Sequence, residues 1–137
     1  MTSLLDSALY CLVRQLGAHR ARMASALAEH GLHIGQELML AQLWRADGLS
    51  QVELATRLGV SAPAVTKVVR GLEQSELVIR RGDDTDGRVL QVWLTDAGRA
   101  LEGPVTAAWY AVEAEMLGGL EDDERDVLLG MAKWRST

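Results

Sequence analysis

The sequence predicts a mainly α-helical fold of about six helices with one small β-hairpin, an α+β class. Three observations lead to this prediction. Two short amphipathic helices follow one another between residue 50 and about residue 75. Two strand-like runs come next, separated by a turn-forming loop at residues 82–87. Longer helical patterns flank this central stretch, and 137 residues are enough for a single domain, 1–137, with a hydrophobic core.

The first predicted helix covers residues 4–29 and ends at Gly31. Its apolar side chains recur at helical spacing: Leu5, Leu9, Leu12, Leu16, Met23 and Leu27. Such a helix is long for a chain of this size and usually needs more than its own domain to cover its apolar face. We therefore interpret it as part of a dimer interface, with an ordinary core helix as the alternative.

A second helix is predicted over about residues 35–45. The third helix then begins with the clearest local signal in the chain. Ser50 stands at the N-cap position and Glu53 follows three residues later, the spacing of a capping box. The helix is short and ends at Gly59, because glycine readily adopts the left-handed conformation of a helix C-terminus.

The fourth helix, at about residues 61–75, has the composition of a helix that enters a DNA groove. Ser61 caps it, and Pro63 lies in the first turn, where a missing N–H costs little. A buried stripe is formed by Val65, Val68, Val69 and Leu72. The opposite face carries Ala62, Thr66, Lys67 and Arg70. Small groups allow close approach, a hydroxyl can bond to a base edge, and cations bind phosphates.

The hairpin at about residues 78–94 predicts a basic wing beside this helix. Its strands are Val78–Arg81 and Arg88–Leu94, and its cations are Arg80, Arg81 and Arg88. Trp93 falls on the face expected to meet solvent, which is unusual for so large an apolar ring. We therefore expect it to be partly buried within the fold, with contact to a partner as the alternative. Residues 35–95 together predict a winged helix-turn-helix that reads duplex DNA.

The remaining residues continue the helical scaffold. Thr95 caps a fifth helix, and Gly103-Pro104 should kink or restart it. A last helix opens with the acidic residues 121–124, which favour the positive end of the helix dipole. We interpret residues 96–137, together with residues 1–31, as dimerisation helices.

Bulk properties limit the other classes of function. The net charge of −5 argues mildly against nucleic acid, but the acids concentrate in the C-terminal part and the wing region is basic. A single cysteine, Cys11, cannot form an internal disulfide, which favours a reducing cytoplasm. No apolar run reaches the roughly 18 residues of a membrane span. No catalytic constellation is present, so neither an enzyme nor a cofactor is expected.

The chain resembles the multiple-antibiotic-resistance regulator (MarR) family of transcription regulators. The specific match is Asp86-x-Arg88, followed after five residues by Leu94-Thr95-x-x-Gly98. Leu77-Val78-x-Arg80 and Leu32-x-x-x-Gln36 are similar to further positions of the family pattern. The resemblance covers essentially the whole chain. It implies a homodimer whose first, fifth and sixth helices interlock over a pseudo-palindromic operator.

The resemblance also implies the DNA-binding residues. Major-groove contacts would come from Ser61, Ala62, Pro63, Thr66, Lys67 and Arg70. Arg80 and Arg81 of the wing are further DNA-binding candidates because they are basic and lie on the same side as Arg70 and Arg88. Arg88 would reach the minor groove or its phosphates, and Asp86 would orient a wing arginine. Two departures stand out. Glu76 replaces a common glycine at the end of the recognition helix, and Gly71 replaces a common basic residue, which predicts few phosphate contacts and a shallow salt dependence.

Control of DNA binding is less explicit in the sequence. The family implies a small, often aromatic or phenolic effector, with candidate lining residues His19, Met23, Met39, Leu43 and Trp44. Core packing is the alternative for each of them. Cys11 is a candidate redox sensor, although a structural cysteine is the simpler interpretation. A zinc site at His19, His30 and His33 is a further alternative, as is a winged helix used for protein–protein assembly.

Overall fold

The computed structural model describes residues 2–134, with side chains described up to residue 131. Met1 and residues 135–137, which belong to the ranges expected to form dimerisation helices, lie outside the described residues. After a 3₁₀ turn at Leu4–Asp6, the elements are α1 (Ala8–Ala28), α2 (Gln36–Arg45), β1 (Leu49–Ser50), α3 (Gln51–Leu58), α4 (Ala62–Gln74), β2 (Val78–Gly82), β3 (Leu90–Leu94), α5 (Asp96–Ala100), α6 (Glu102–Leu117) and α7 (Asp122–Trp134).

The mainly α-helical fold with a small β-sheet is confirmed, with two helices divided more finely than expected. The first helix is interrupted at Ser7, whose extended backbone and hydroxyl, accepting from Tyr10 N at 3.0 Å, start α1 anew. The fifth helix is divided at Leu101 into α5 and α6. Pro104 then lies in the first turn of α6, where its missing N–H removes no intrahelical bond.

The sheet contains a strand that the sequence did not indicate. β1 pairs with β3, and β3 pairs with β2, all antiparallel, in the order β1-β3-β2. Leu49 lies opposite Val92, and Val78 lies opposite Leu94. Since β1 comes directly before α3, this pairing ties the start of the helix-turn-helix to the wing.

The hydrophobic core lies within the winged region. Its fully buried side chains come from α2, α3, α4 and the sheet, and include Leu40, Leu54, Val65, Val69, Leu72 and Val92. Leu27 of α1 and Val105 of α6 close this core from outside the winged region. In the valine–leucine stripe of α4, Val65, Val69 and Leu72 are therefore buried as their spacing indicates, and Val68 is half-buried.

Two helical faces outside this core expose large apolar side chains. One is the N-terminal half of the chain's first helical segment, with Leu4, Leu5, Leu9, Leu12, Val13 and Leu16. The other is on α6 and α7, with Trp109, Tyr110, Val127, Leu128, Leu129 and Met131. Large exposed apolar surfaces are typical of sites that bind another molecule. None of the helices in the described residues is both long and apolar enough to cross a lipid bilayer.

Candidate nucleic-acid interface

Serine N-caps start both helices of the helix-turn-helix. The Ser50 hydroxyl accepts from Glu53 N at 3.1 Å, and the Ser61 hydroxyl accepts from Ala64 N at 3.3 Å. Gly59 lies between the helices with a φ of 65°, the left-handed conformation expected there. These local bonds orient α4 so that one face is buried and the other is presented outward.

The outward face of α4 carries the residues predicted to read DNA. Exposed positions are Ser61, Ala62, Pro63, Lys67 and Arg70. Thr66 is half-buried because its hydroxyl donates to Ala62 O at 3.1 Å and accepts from Gln51 Nε2 at 3.3 Å. Neither Lys67 nor Arg70 forms an ion pair within residues 2–131. Two cations are thus available to phosphates.

The end of α4 is conformationally costly, as the missing glycine predicts. Glu76 adopts a φ of 59°, in the left-handed region that glycine favours. Its N–H donates to Glu73 O at 2.9 Å, and Leu77 N donates to Leu72 O at 3.0 Å. These two bonds form a Schellman motif, which directs the chain from α4 into β2.

Arg80 and Arg81, two of the predicted DNA-binding arginines, contact side chains of neighbouring elements. Arg80 Nε lies 2.7 Å from a Glu73 carboxylate oxygen, and both side chains are mostly buried. The Arg81 guanidinium lies over the Trp93 ring, 4.9 Å from its centroid, a cation–π contact. Arg80 therefore connects the wing to α4, and Arg81 connects the two strands of the wing to each other.

Trp93 is half-buried because its ring covers Gly48, as expected for packing within the fold. A Cβ at Gly48 would lie only 2.5 Å from the ring, and the φ of Gly48 is 75°. Glycine is therefore required at position 48 both by the backbone and by the neighbouring indole.

The tip of the wing presents one fully exposed cation. The Arg88 side chain is 94% exposed, and the Asp86 carboxylate accepts from its N–H at 3.0 Å and from its Nε at 3.3 Å. Asp86 thus contacts a wing arginine, as the resemblance implies. In the same loop, hydrogen bonds from the Thr85 hydroxyl and then the Thr85 N–H hold the pKa of Asp83 below its usual range.

The Leu94-Thr95-x-x-Gly98 signature has a clear structural purpose. The Thr95 hydroxyl accepts from Gly98 N at 3.1 Å and donates to Glu76 O at 2.8 Å, while Thr95 N donates to Leu77 O at 3.0 Å. A Cβ at Gly98 would lie 2.1 Å from that same Leu77 oxygen. The signature therefore bonds the start of α5 to the end of the recognition helix at a distance only glycine permits.

Asp47 is a structural residue that sequence reasoning missed. Its carboxylate accepts from Leu94 N at 2.9 Å and from Arg99 Nη2 at 3.1 Å, joining the turn after α2 to β3 and α5. Asp47-Gly48 indicates only a helix stop in the sequence, because both partners lie about fifty residues away along the chain.

Gly71 lies against α2. A Cβ there would lie 3.0 Å from Gln36 Nε2, so a side chain at position 71 would first have to displace that amide. Few phosphate contacts and a shallow salt dependence stay a prediction, to which the Arg80–Glu73 pair adds a reason because it occupies one of the wing cations.

A cavity of about 460 Å³ lies between α1, α6 and α7 and includes two of the five candidate effector residues, His19 and Met23. The other three are placed elsewhere. Met39 and Leu43 are 1% exposed in the core, and the Trp44 indole donates to Gly98 O at 2.9 Å. These three side chains serve packing, which was the alternative interpretation for each.

A second cavity, of about 300 Å³, adjoins the first and includes the buried carboxyl of Glu37. The two cavities share Arg20, Met23, Ile34 and Trp109. Burial raises the pKa of Glu37, although hydrogen bonds from the N–H groups of Gly35, Glu37 and Leu38 act in the opposite direction. Nothing in the local sequence separates this carboxyl from an ordinary first-turn glutamate.

The remaining candidates are not brought together. Cys11 is exposed on α1. No group of three or more metal-ligating side chains forms among the described residues, and the three histidines do not assemble into a site there.

A helix-turn-helix with an exposed basic face and a β-wing beside it defines the winged helix-turn-helix class of DNA-binding proteins. The chain belongs to the MarR family of that class, a family of transcriptional regulators and not of enzymes. The profile of the family matches residues 32–90.

Named relatives and solved structures agree with this assignment. The transcriptional regulator TtmR of Methylorubrum extorquens is 36% identical over 133 residues, 96% of this chain and 67% of that protein. The transcriptional repressor Rv2887 of Mycobacterium tuberculosis is 34% identical over 111 residues, 81% of this chain and 80% of that protein. Its structure in complex with DNA matches with a TM-score of 0.73 and 26% identity, covering 96% of this chain and 99% of that one. The structure of CouR from Rhodococcus jostii bound to p-coumaroyl-CoA matches with a TM-score of 0.79 and 26% identity, covering 96% of each chain.

Proposed function

We propose that the chain is a homodimeric transcriptional repressor that binds a pseudo-palindromic operator and is released from it by a small ligand. In each protomer α4 enters a major groove and the wing reaches the adjacent minor groove. The observation that carries this proposal is the outward face of α4, where Lys67 and Arg70 are exposed and unpaired among the described residues. The relative Rv2887, a repressor solved in complex with DNA, supports it.

The residues have distinct roles in this proposal. Ser61, Ala62, Pro63 and Thr66 approach the base edges, while Lys67 and Arg70 bind phosphates on either side. Arg88 extends from the wing with Asp86 fixing its direction. Arg80 and Arg81 contribute positive charge to the DNA-binding surface while they remain beside Glu73 and Trp93.

The dimer forms through the apolar faces of residues 1–31 and 96–137. The exposed leucines of the first helical segment and the exposed apolar side chains of α6 and α7 are the surfaces that a second copy covers. The Arg22–Glu115 pair, bidentate at 2.9 Å for both bonds, holds α1 against α6 within each protomer.

The effector occupies the cavity between α1, α6 and α7, with His19 and Met23 among its contacts. Because the lining is mostly apolar, an aromatic or phenolic compound fits its chemistry. That CouR is solved with p-coumaroyl-CoA bound supports a ligand of this kind. Binding to one of two dimer geometries shifts the population between them and so changes the affinity for DNA.

The direct test is a gel-shift titration with duplexes from upstream of the protein's own gene, at several salt concentrations. Arg88→Ala should weaken binding about tenfold and lower the slope of log K against log salt by about 1, without unfolding the protein. Arg45→Ala, which removes the same charge from an exposed position on α2, is the matched control and should change neither. Absence of sequence-preferring binding at low salt would contradict the proposal and favour a protein–protein module instead.

A further inference from the structure

On the exposed face of α4, the Thr66 hydroxyl forms two hydrogen bonds within the chain. It follows Ala62 by one helical turn and precedes Arg70 by another, so it lies along the centre of that face. Its hydroxyl donates to Ala62 O at 3.1 Å, and Gln51 Nε2 of α3 donates to it at 3.3 Å.

The direction of both bonds follows from the groups involved. A carbonyl oxygen can only accept, so the single hydroxyl proton of Thr66 lies toward Ala62 O. Gln51 must then present its NH₂ group, since its carbonyl would find no proton on the hydroxyl. A threonine hydroxyl has one donor and two acceptor sites, and one donor and one acceptor are now occupied.

We propose that Thr66 meets DNA with its methyl group and one remaining acceptor site, and that Gln51 is the positioning residue that holds it in this state. The inference depends on the proposed function, in which α4 lies in the major groove. Its consequence is a base preference. Guanine presents only acceptors in the major groove and finds no donor on Thr66.

A thymine·adenine pair offers a partner to both the methyl group and the free acceptor site of Thr66. The thymine 5-methyl contacts the threonine methyl, and the adenine N6 amine donates to the free acceptor site. Cytosine offers a donor at N4 but no methyl group. We therefore infer that Thr66 selects a thymine·adenine pair at one position of each half-site. Guanine in place of the thymine is disfavoured, because the methyl contact is lost and the guanine acceptors meet no donor on Thr66.

The experiment first enriches preferred sites from a randomised duplex pool with the full wild-type chain. Each thymine of the enriched site is then replaced singly by deoxyuridine, which removes only the 5-methyl group. The wild type should lose about three- to tenfold in affinity at one position of each half-site. Thr66→Ser keeps the hydroxyl without the methyl, so its affinity should be the same for thymine and deoxyuridine at that position. Thr66→Val keeps the methyl without the hydroxyl, so its affinity should still fall when that thymine is replaced by deoxyuridine.

Gln51→Met is the test of the positioning role. Without the amide, the Thr66 hydroxyl is free to turn and donate, so the preference for thymine over guanine at that position should fall about threefold or more. Thermal unfolding of each variant, followed by circular dichroism, confirms that the fold is intact. A merely structural glutamine would change the affinity for all sites equally and leave the base preference unaltered.

The failures are distinguishable. If the wild type enriches no duplex, the proposed function and this inference are both overturned. If it enriches a site but Thr66→Ser keeps the wild-type sensitivity to deoxyuridine at every position, only the role of Thr66 is overturned. If Gln51→Met keeps the wild-type base preference, only the positioning role of Gln51 is overturned.

Discussion

Two glutamates of the winged region, Glu76 and Glu37, are in energetically unfavourable states, the first because of its backbone conformation and the second because of its burial. Glu76 is in the left-handed conformation at the end of α4, and Glu37 is buried at the start of α2. The first follows from the sequence, because the Schellman position is recognised by its place after a helix. The second does not, because burial of Glu37 depends on α1 and α6, which are distant in the chain.

Glu76→Gly should stabilise the protein. Glycine has no Cβ to clash in the left-handed region, and this gain exceeds the entropy it adds to the unfolded chain, for a net of about 0.5–1 kcal/mol. Chemical denaturation at fixed protein concentration measures it. Glu76→Ala is the control that removes the charge but keeps the Cβ, and it should leave the free energy of unfolding nearly unchanged.

Glu37→Gln should stabilise the protein at neutral pH. Since burial raises the pKa of Glu37, its contribution to stability is full below the ordinary glutamate pKa of roughly 4.3 and is lost as pH rises through the raised value. Glutamine keeps an acceptor for Gly35 N–H without the buried charge. The variant's advantage in melting temperature should therefore shrink as pH falls toward 4.

Glu102→Gln, at an exposed position, controls for the change in net charge. An advantage of Glu37→Gln that is the same at pH 4 and pH 7, or that Glu102→Gln shares, would contradict the effect of burial.

The helical elements were predictable wherever their signals are local. Ser50, Ser61 and Thr95 all cap helices through bonds to residues three positions ahead, and such spacing can be read directly from a sequence. β1 was not predictable, because two residues become a strand only by pairing with β3, forty residues later. The break at Leu101 was expected nearby, at Gly103-Pro104, since proline opens helices well.

Gly98→Ala should destabilise the joint between α4 and α5 by about 2–4 kcal/mol, because the added methyl group would overlap Leu77 O. Gly103→Ala is the matched control. A Cβ at Gly103 meets nothing within 4 Å, and alanine favours the helix, so this change should be neutral or stabilising by up to about 1 kcal/mol. Equal melting temperatures for the two variants would show that the contact at Gly98 is not limiting.

At the scale of the whole molecule, the sequence predicts the winged region better than it predicts what surrounds it. The winged region contains its own core, so apolar periodicity identifies its buried faces. The leucines of the first helical segment have the same periodicity, yet they are exposed in the single chain. Periodicity alone cannot distinguish a face that the same chain covers from one that a second copy covers. The effector residues were predicted poorly for a related reason. Apolar side chains form both the core and the cavity lining, so residue type does not distinguish the two.

Replacing both Leu9 and Leu12 by aspartate should convert a dimer into monomers at micromolar concentration and weaken operator binding. In the proposed dimer a second copy covers this apolar face, so the two charges would be buried without partners. Sedimentation velocity measures the mass. Replacing Gln15, an exposed polar residue of the same helix, by glutamate is the control and should leave the dimer intact. A wild-type chain that sediments as a monomer would remove the dimer from the proposed function.

The bonds between Thr95, Gly98, Glu76 and Leu77 have a mechanical consequence. They make the end of α4 and the whole of α5 one rigid piece, because any relative rotation would break hydrogen bonds or drive Gly98 into a carbonyl oxygen. Leu101 follows this piece and leads into α6, whose Val105 is buried in the core of the winged region. The cavity lies against the same helix, so in the proposed function an effector would contact a helix that packs directly on the winged region.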